Sequence, residues 1–337
     1  MKRDALCKAL LDHPEPSIRW KTMVHVLGED PQSRKARAVQ ELIRSSPRVN
    51  ALLAHRQRDG RLKSRSVYDK WQGAHWILAT LADIGYPRGD ESLEPIRDQI
   101  LDLWLQDSFY QEFEADTKAD AYKKEGVPVM QGRYRRCASQ QGNALYFLIK
   151  LGINDSRTDR LVERLLHWQW PDGGWNCDKD PNADTSSFME TLLPMLGLAA
   201  FGQEKRVRKA REAALQASEV LLSRRLFKRR SDSRVIHPEF VQLHYPLYWH
   251  YDVLGGLKAM AEVGRLGDRR CADALDFLES KELPDGGWPA EKRYYKTSKS
   301  IELGADFVDW GGTSKHKMNA WVTVDALRVL REAGRAI

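Results

Sequence analysis

Two short stretches of this chain are near-copies: Trp170-Pro171-Asp172-Gly173-Gly174-Trp175 and Leu283-Pro284-Asp285-Gly286-Gly287-Trp288. Each follows an amphipathic segment and leads through a polar loop to an apolar one, which is the mark of a repeat architecture. The copies belong to a longer series. Apolar, helix-patterned segments ending in Gly run from Trp20 to Gly28, Trp71 to Gly85, Gln140 to Gly152, Thr185 to Gly202, Pro246 to Gly264 and Met318 to Gly334. Glycine suits these ends because it takes the left-handed conformation that stops a helix without a Cβ clash. More charged, amphipathic helices are expected between them, at Glu91 to Leu105, Arg157 to Trp168, Glu204 to Leu222 and Asp268 to Leu283. The stretch from Gln32 to His55 should hold two shorter helices broken near Pro47. Apolar segments alternating with amphipathic ones predict an inner and an outer layer of helices, and six such pairs could close on themselves without an exposed end.

Composition bounds the rest. Hydrophobic residues make up 42% of 337, enough for a large core. Runs with strand-like alternation are nearly absent, so the expected fold class is all-α. No apolar stretch reaches membrane-spanning length, and Met1-Lys2-Arg3-Asp4 does not begin a signal peptide. The four cysteines, Cys7, Cys137, Cys177 and Cys271, show no paired spacing and read as reduced thiols of a cytoplasmic protein. The net charge of +7 raises the question of a nucleic-acid partner. The basic clusters at 206–211 and 224–230 carry no recognition motif, and a solvated face explains them; no nucleic acid is expected. A peripheral contact with an anionic membrane is the weaker variant, through the basic loop beside Leu226 and Phe227.

The Asp-Gly-Gly-Trp turns resemble the QW-type repeats of the terpenoid cyclase and protein prenyltransferase superfamily, and Gln57-Arg58-Asp59-Gly60-Arg61 reads as a third, degraded copy. Asp184-Thr185-Ser186-Ser187-Phe188 and Leu192-Leu193-Pro194-Met195-Leu196 are similar to the same superfamily. The resemblance covers the chain from about His55 onward and implies a closed α6/α6 toroid with a central cavity, here a single domain over 1–337. It does not carry the family's chemistry across. Class II cyclases use Asp-x-Asp-Asp-Thr, and the matching stretch, Pro181-Asn182-Ala183-Asp184-Thr185, has Ala183 where the acid belongs. The prenyltransferase zinc ligands match Asn182, Asp184 and Asn319, which lack the thiolate and imidazole zinc prefers, so zinc is not expected in this chain.

Other groups are therefore the candidates for chemistry. Asp178, Asp180 and Asp184 place carboxylates along one loop in a spacing like that of a calcium loop, a candidate site for Mg²⁺ or Ca²⁺; the plainer reading is a solvated turn with Asp184 capping a helix at Thr185. Between His244 and Asp252 lies the densest group of rings and titratable side chains, where helical spacing would put Tyr248, Tyr251 and Asp252 on one face. Asp184, Glu190 and Asp252 are the candidate acids, with His75 and His250 beside them as catalytic candidates. Trp71, Trp76, Gln141, Asn143, Tyr248, Trp249, Tyr251, Asn319 and Trp321 are the expected substrate-lining residues. Aromatic faces suit isoprenyl chains and carbocations. Cys177 reads as a small buried hydrophobe with no second Cys nearby. The long segment 286–317 is a candidate lid. These readings point to an enzyme acting on a small apolar or amphipathic, isoprenoid-like substrate. A non-catalytic binding protein on the same scaffold and a carbohydrate-active α/α toroid stand as alternatives.

Overall fold

The two Asp-Gly-Gly-Trp copies fold into the same object. In each, the first residue of the turn exchanges backbone hydrogen bonds with the glycines: Trp170 donates to the Gly174 carbonyl (2.8 Å) and accepts from Gly173 (2.9 Å), while Leu283 donates to Gly287 (2.9 Å) and accepts from Gly286 (2.8 Å). Gly173 and Gly286 sit at φ of +99° and +88°, where a Cβ would be strained. Each following Trp is buried and donates its indole N–H back to a carbonyl of the preceding amphipathic helix, Trp175 to Leu165 (3.0 Å) and Trp288 to Leu278 (2.7 Å). Its backbone N–H donates forward to a threonine hydroxyl of the next apolar helix, Thr191 (3.2 Å) or Thr323 (2.9 Å). One turn thus fastens an amphipathic helix to the apolar helix that follows. The degraded copy makes the same turn, Gln57 donating to the Arg61 carbonyl (2.8 Å) and accepting from Gly60 (3.0 Å).

The computed structural model describes residues 2–336; Met1 and Ile337, at the edges of the expected domain, lie outside them. Helices dominate, in the order α1 (Lys2–Leu11), α2 (Pro16–Lys21), α3 (Arg34–Arg44), α4 (Pro47–Leu52), α5 (Ala74–Asp83), α6 (Glu94–Trp104), α7 (Ala138–Leu151), α8 (Arg157–His167), α9 (Phe188–Glu204), α10 (Arg208–Leu222), α11 (Val253–Glu262), α12 (Ala272–Ser280) and α13 (Ala320–Glu332). A π turn, Thr22–Val26, prolongs α2. The break between α3 and α4 falls at Pro47, with the Ser46 hydroxyl accepting from Val49 N–H (3.3 Å). Short strands interrupt the helices: β1 (Glu112–Glu114) pairs in parallel with β2 (Val127–Met130), which pairs antiparallel with β3 (Arg133–Tyr134), and β4 (Lys296–Thr297) runs parallel to β5 (Ala305–Asp306).

Two helix boundaries differ from the sequence expectation. Residues 246–252 are not helical: Tyr248 has φ of +50°, and α11 begins only at Val253, where the Asp252 carboxylate accepts from Gly255 N–H (2.7 Å). The helical face expected to unite Tyr248, Tyr251 and Asp252 therefore does not exist. Likewise α9 starts at Phe188, so Asp184 caps nothing and lies exposed on the loop.

The apolar helices α2, α5, α7, α9, α11 and α13 touch in succession from α5 to α13, and α13 packs back on α2. At the α2 end Trp20 lies against Gly85, just past α5. The amphipathic helices α3, α6, α8, α10 and α12 lie beside them. The closest crossing is α7 on α9. A Cβ on Gly142 would lie 2.4 Å from Pro194 Cα, and one on Gly197 would lie 2.5 Å from the Gly142 carbonyl. Two glycines thus allow backbone-to-backbone contact where any side chain would hold the helices apart.

Part of the space between the apolar helices, expected to be a cavity, is occupied by the chain's own side chains. At one end Lys21 and Lys258 pair with Asp325, Lys258 also reaches Asp83 (3.3 Å), and the Tyr245 hydroxyl donates to Asp83 (2.7 Å). Toward the other end Tyr245 stacks on Trp321, Trp71 stacks on Tyr248 (3.8 Å between centroids), and Trp310 edges both Tyr245 and Trp321. Leu226 and Phe227, proposed above to adjoin a membrane, are buried in the core, so they supply no apolar anchor. Among the described residues no helix is long and apolar enough to cross a membrane.

Candidate functional site

The N-terminal ends of α7 and α9 lie side by side because of the glycine crossing, and they bring together groups far apart in sequence. Cys137 is the residue before α7, Glu190 lies in the first turn of α9, and Cys177 sits on the loop between the Asp-Gly-Gly-Trp turn and α9. The two sulfurs and a Glu190 carboxylate oxygen lie within 4.8 Å of one another. The Cys177 thiol donates to Glu190 Oε1 (3.5 Å), and Ser139 N–H donates to Oε2 (3.0 Å). All three side chains are half-buried. Burial raises the Glu190 carboxyl above its ordinary range despite the Ser139 donor. The thiols share a hydrogen bond that pulls Cys137 below the usual thiol range and pushes Cys177 above it.

An aromatic wall adjoins this cluster. Tyr68, raised well above the ordinary phenol range chiefly by burial with the Glu190 charge second, packs on His75, Trp76 and Trp104 at centroid distances of 5.0, 5.2 and 5.3 Å. Arg136 lies over Phe109 (4.7 Å), and its Nε is buried without a partner. In the orientation that satisfies it, the Gln141 amide donates to the Cys137 carbonyl (3.2 Å) and accepts from Arg136 (3.0 Å). Lys179 approaches from the loop and donates to the Ala121 carbonyl (2.8 Å). A carboxyl, two thiols, a phenol and a guanidinium therefore meet beside a hydrocarbon surface.

Of the other expected site residues, His75, Asn143 and Trp76 belong to the wall or lie behind it, and the rest fall elsewhere. His75 is fully buried, accepts from Trp104 Nε1 at Nδ1 (3.1 Å) and meets Asn143 at Nε2 (3.1 Å); burial lowers it to about 3. It is a neutral core residue with both nitrogens occupied. Asp252 caps α11 and pairs with buried His244 (2.9 Å). His250 is sandwiched between Trp249 and Tyr294, lowered to about 3 by burial. Trp71 and Trp76 meet edge to face (4.8 Å), with Tyr248 against both. The Tyr248 hydroxyl donates to buried Asp306, which also accepts from Trp310 Nε1 (2.8 Å). The Tyr251 hydroxyl is spent on the Leu226 carbonyl (2.6 Å). Asn319 caps α13, and with Trp321 it lines a separate cleft of about 510 Å³ against Trp310 and Met318.

The proposed Mg²⁺ or Ca²⁺ loop is not assembled as a site. Asp178 and Asp180 accept from the backbone N–H two residues on (2.9 Å each), turning the loop locally, and both are exposed with Asp184. Buried Arg135 holds this loop through the Ala183 carbonyl (2.8 Å). Among the described residues the group of three metal-competent side chains is Cys137, Cys177 and Glu190. The expectation that Cys177 has no thiol neighbour is thereby corrected. Tyr68, Arg136 and Cys137 were not singled out from sequence, because nothing in their local pattern marks them.

No family model matches the chain, and no curated protein matches it. Among solved structures it is similar to the type II terpene cyclase MstE from Scytonema, at 15% identity and a TM-score of 0.28, over 85% of this chain and 96% of that one. A variant of that cyclase in complex with geranylgeranyl dihydroxybenzoate aligns at 14% identity and a TM-score of 0.29, over 85% and 96%. A further variant in complex with merosterolic acid A aligns at 15% and 0.28, over 85% and 95%.

Proposed function

We propose that this chain is an enzyme acting on an isoprenoid-like or similarly apolar small molecule, with its reaction centre where Glu190, Cys137, Cys177 and Arg136 face the wall of Tyr68, Trp76 and Trp104. One observation carries the reading: a carboxyl without an ion-pair partner, two thiols and a guanidinium nitrogen without a partner adjoin a set of packed aromatic rings. Polar groups converging on an apolar surface are what a site needs to orient a mostly hydrocarbon ligand and act on one of its atoms. Glu190 is the reactive acid in this reading, in place of the aspartates that the resembled families use. The scaffold is a single α6/α6 toroid over 1–337, supported by the return of α13 onto α2 and by a hydrophobic core continuous from Leu6 to Leu330. The loop 286–317 is its lid, supported by the Trp71 indole donating to the Tyr294 carbonyl (2.7 Å) and by Gln72 bonding Ser300 and Glu302.

The test is a thermal-shift series with farnesyl diphosphate, geranylgeranyl diphosphate, squalene and oligosaccharides, each with and without Mg²⁺. A ligand binding only the folded chain at a hundred times its Kd adds about 2.7 kcal/mol of stability. A shift with an isoprenoid that disappears in Tyr68→Ala supports the reading. A shift with oligosaccharides alone moves it to carbohydrate chemistry, and no shift at all to a non-catalytic role.

A further inference from the structure

We propose that Cys137, Cys177 and Glu190 form a mononuclear site for a thiol-preferring divalent cation, zinc foremost, with its fourth position open toward Tyr68. The donor set is distinct from the residues at which the family resemblance looks for zinc, Asn182, Asp184 and Asn319, none of which takes part. The proposal rests on the location of the reaction centre given above but not on the identity of its substrate.

Four observations carry it. The first is spacing. Two ligands on one tetrahedral zinc, with Zn–S near 2.3 Å and Zn–O near 2.0–2.2 Å, stand about 3.5 Å apart. Cys177 Sγ and Glu190 Oε1 are 3.5 Å apart, with Cys137 Sγ within 4.8 Å of both. The second is orientation. Ser139 N–H holds Oε2 of Glu190, so the carboxylate presents Oε1 to the sulfurs, as outer hydrogen bonds do for metal ligands generally.

The third is charge. Two thiolates and a carboxylate carry three negative charges, a divalent cation supplies two positive ones, and Arg136 beside the cluster supplies the last. The half-buried site is then neutral, and the Arg136 Nε, which lies buried and unpartnered, has the charged cluster beside it. The fourth is origin. Two of the three ligands, Cys137 and Glu190, come from the starts of two helices locked by the Gly142–Pro194 contact, a rigid base of the kind a metal site requires, and Cys177 joins them from the loop before α9. The groups facing the cluster from each element are Tyr68 before α5, Arg136, Ser139 and Gln140 around the start of α7, and Lys179 on the loop. With three protein ligands the fourth position remains open, the pattern of a catalytic rather than a structural zinc. In the loaded protein that position, rather than the Glu190 carboxyl, meets the substrate.

The experiment is a cobalt(II) titration of the chelator-treated full chain, followed by zinc displacement. One ion per chain should bring up thiolate-to-cobalt charge transfer in the near ultraviolet together with tetrahedral ligand-field bands in the visible, and zinc should abolish both. Cys137→Ser and Cys177→Ser should each remove at least half of the charge-transfer intensity, Glu190→Gln should weaken binding while keeping it, and Cys7→Ser should change nothing. Because a cysteine variant could misfold, the wild-type chain gives a second reading: zinc should protect Cys137 and Cys177, but not Cys7, from alkylation mapped by mass spectrometry. Absence of the charge-transfer band at one equivalent, or alkylation of all three thiols at the same rate with and without zinc, overturns the proposal. Cobalt bands without any isoprenoid thermal shift would leave the metal site standing and remove the substrate reading; the reverse pattern would do the opposite.

Discussion

Gly142→Ala tests the crossing on which the candidate site depends. In an exposed helix this change would stabilise by about 1 kcal/mol, because alanine is the better helix former. Here the new Cβ would lie 2.4 Å from both Cα and N of Pro194 and 2.8 Å from the Leu193 carbonyl carbon, all backbone atoms that no rotamer change can clear. Restoring normal contact requires α7 and α9 to part by about 1 Å along their tightest interface, and overpacking of this kind costs about 1–3 kcal/mol or more. We expect a net loss of about 1–2 kcal/mol. With an unfolding entropy of about 2 cal/mol/K per residue, that lowers Tm by about 1.5–3 °C. The assay is urea unfolding followed by circular dichroism, with Gly267→Ala as the control, since a Cβ there meets nothing within 4 Å and the backbone φ is ordinary. The control should be neutral or slightly stabilised. If Gly142→Ala raises the urea midpoint as much as Gly267→Ala, the close crossing is wrong, and with it the shared base of Cys137 and Glu190.

Three further outcomes follow from the same geometry. Thr191→Val and Thr323→Val each orphan a buried Trp N–H, at Trp175 and Trp288, and should cost about 1–3 kcal/mol apiece in urea unfolding; a near-zero cost in both would deny the turns their fastening role. Asp325→Asn leaves Lys21 and Lys258 facing Asp83 alone, and loss of one partner of such a buried set should cost about 3–5 kcal/mol, whereas a loss below about 1 kcal/mol would mean the ammonium groups find water. His75 is held neutral by burial, from its ordinary 6.5 to about 3. The unfolded chain therefore binds the extra proton first, and stability falls as pH drops from 6.5 towards 3, by up to about 1.4 kcal/mol per pH unit, with no contribution above 6.5. His75→Gln should flatten the acid limb of the stability-pH curve by that slope, and parallel curves for the two proteins would show that His75 is not the group responsible.

The helices were legible because periodicity and punctuation are local. Gly152, at φ of +66°, ends α7 where the apolar pattern stops, and Pro47 splits α3 from α4 where expected. The Asp-Gly-Gly-Trp turns were legible as units, although their indole-to-carbonyl and amide-to-threonine bonds were not. The segment 244–252 was misread because Pro246 at the head of an apolar run looks like a helix start, and nothing in sequence announces a tyrosine at positive φ. Glu190 stood out as a carboxylate in an apolar helix. Cys137 and Arg136 did not, because their significance arises only when two helix starts meet, and that meeting depends on Gly142 and Gly197, whose role is to be absent as side chains.

The pairing of Lys21 with Asp325 has a consequence for synthesis. Asp325 leaves the ribosome roughly 300 residues after Lys21. At about 5–20 residues per second the amino-terminal lysine waits some 15–60 s for the counter-charge that lets it be buried. Arg3 waits almost as long for Glu282 and the Gly286 carbonyl, and the His25 carbonyl fully as long for Arg331. Helices α1 and α2 are thus made first and seated last. Until those partners emerge, the earliest segment of the nascent chain stays wet and available to chaperones.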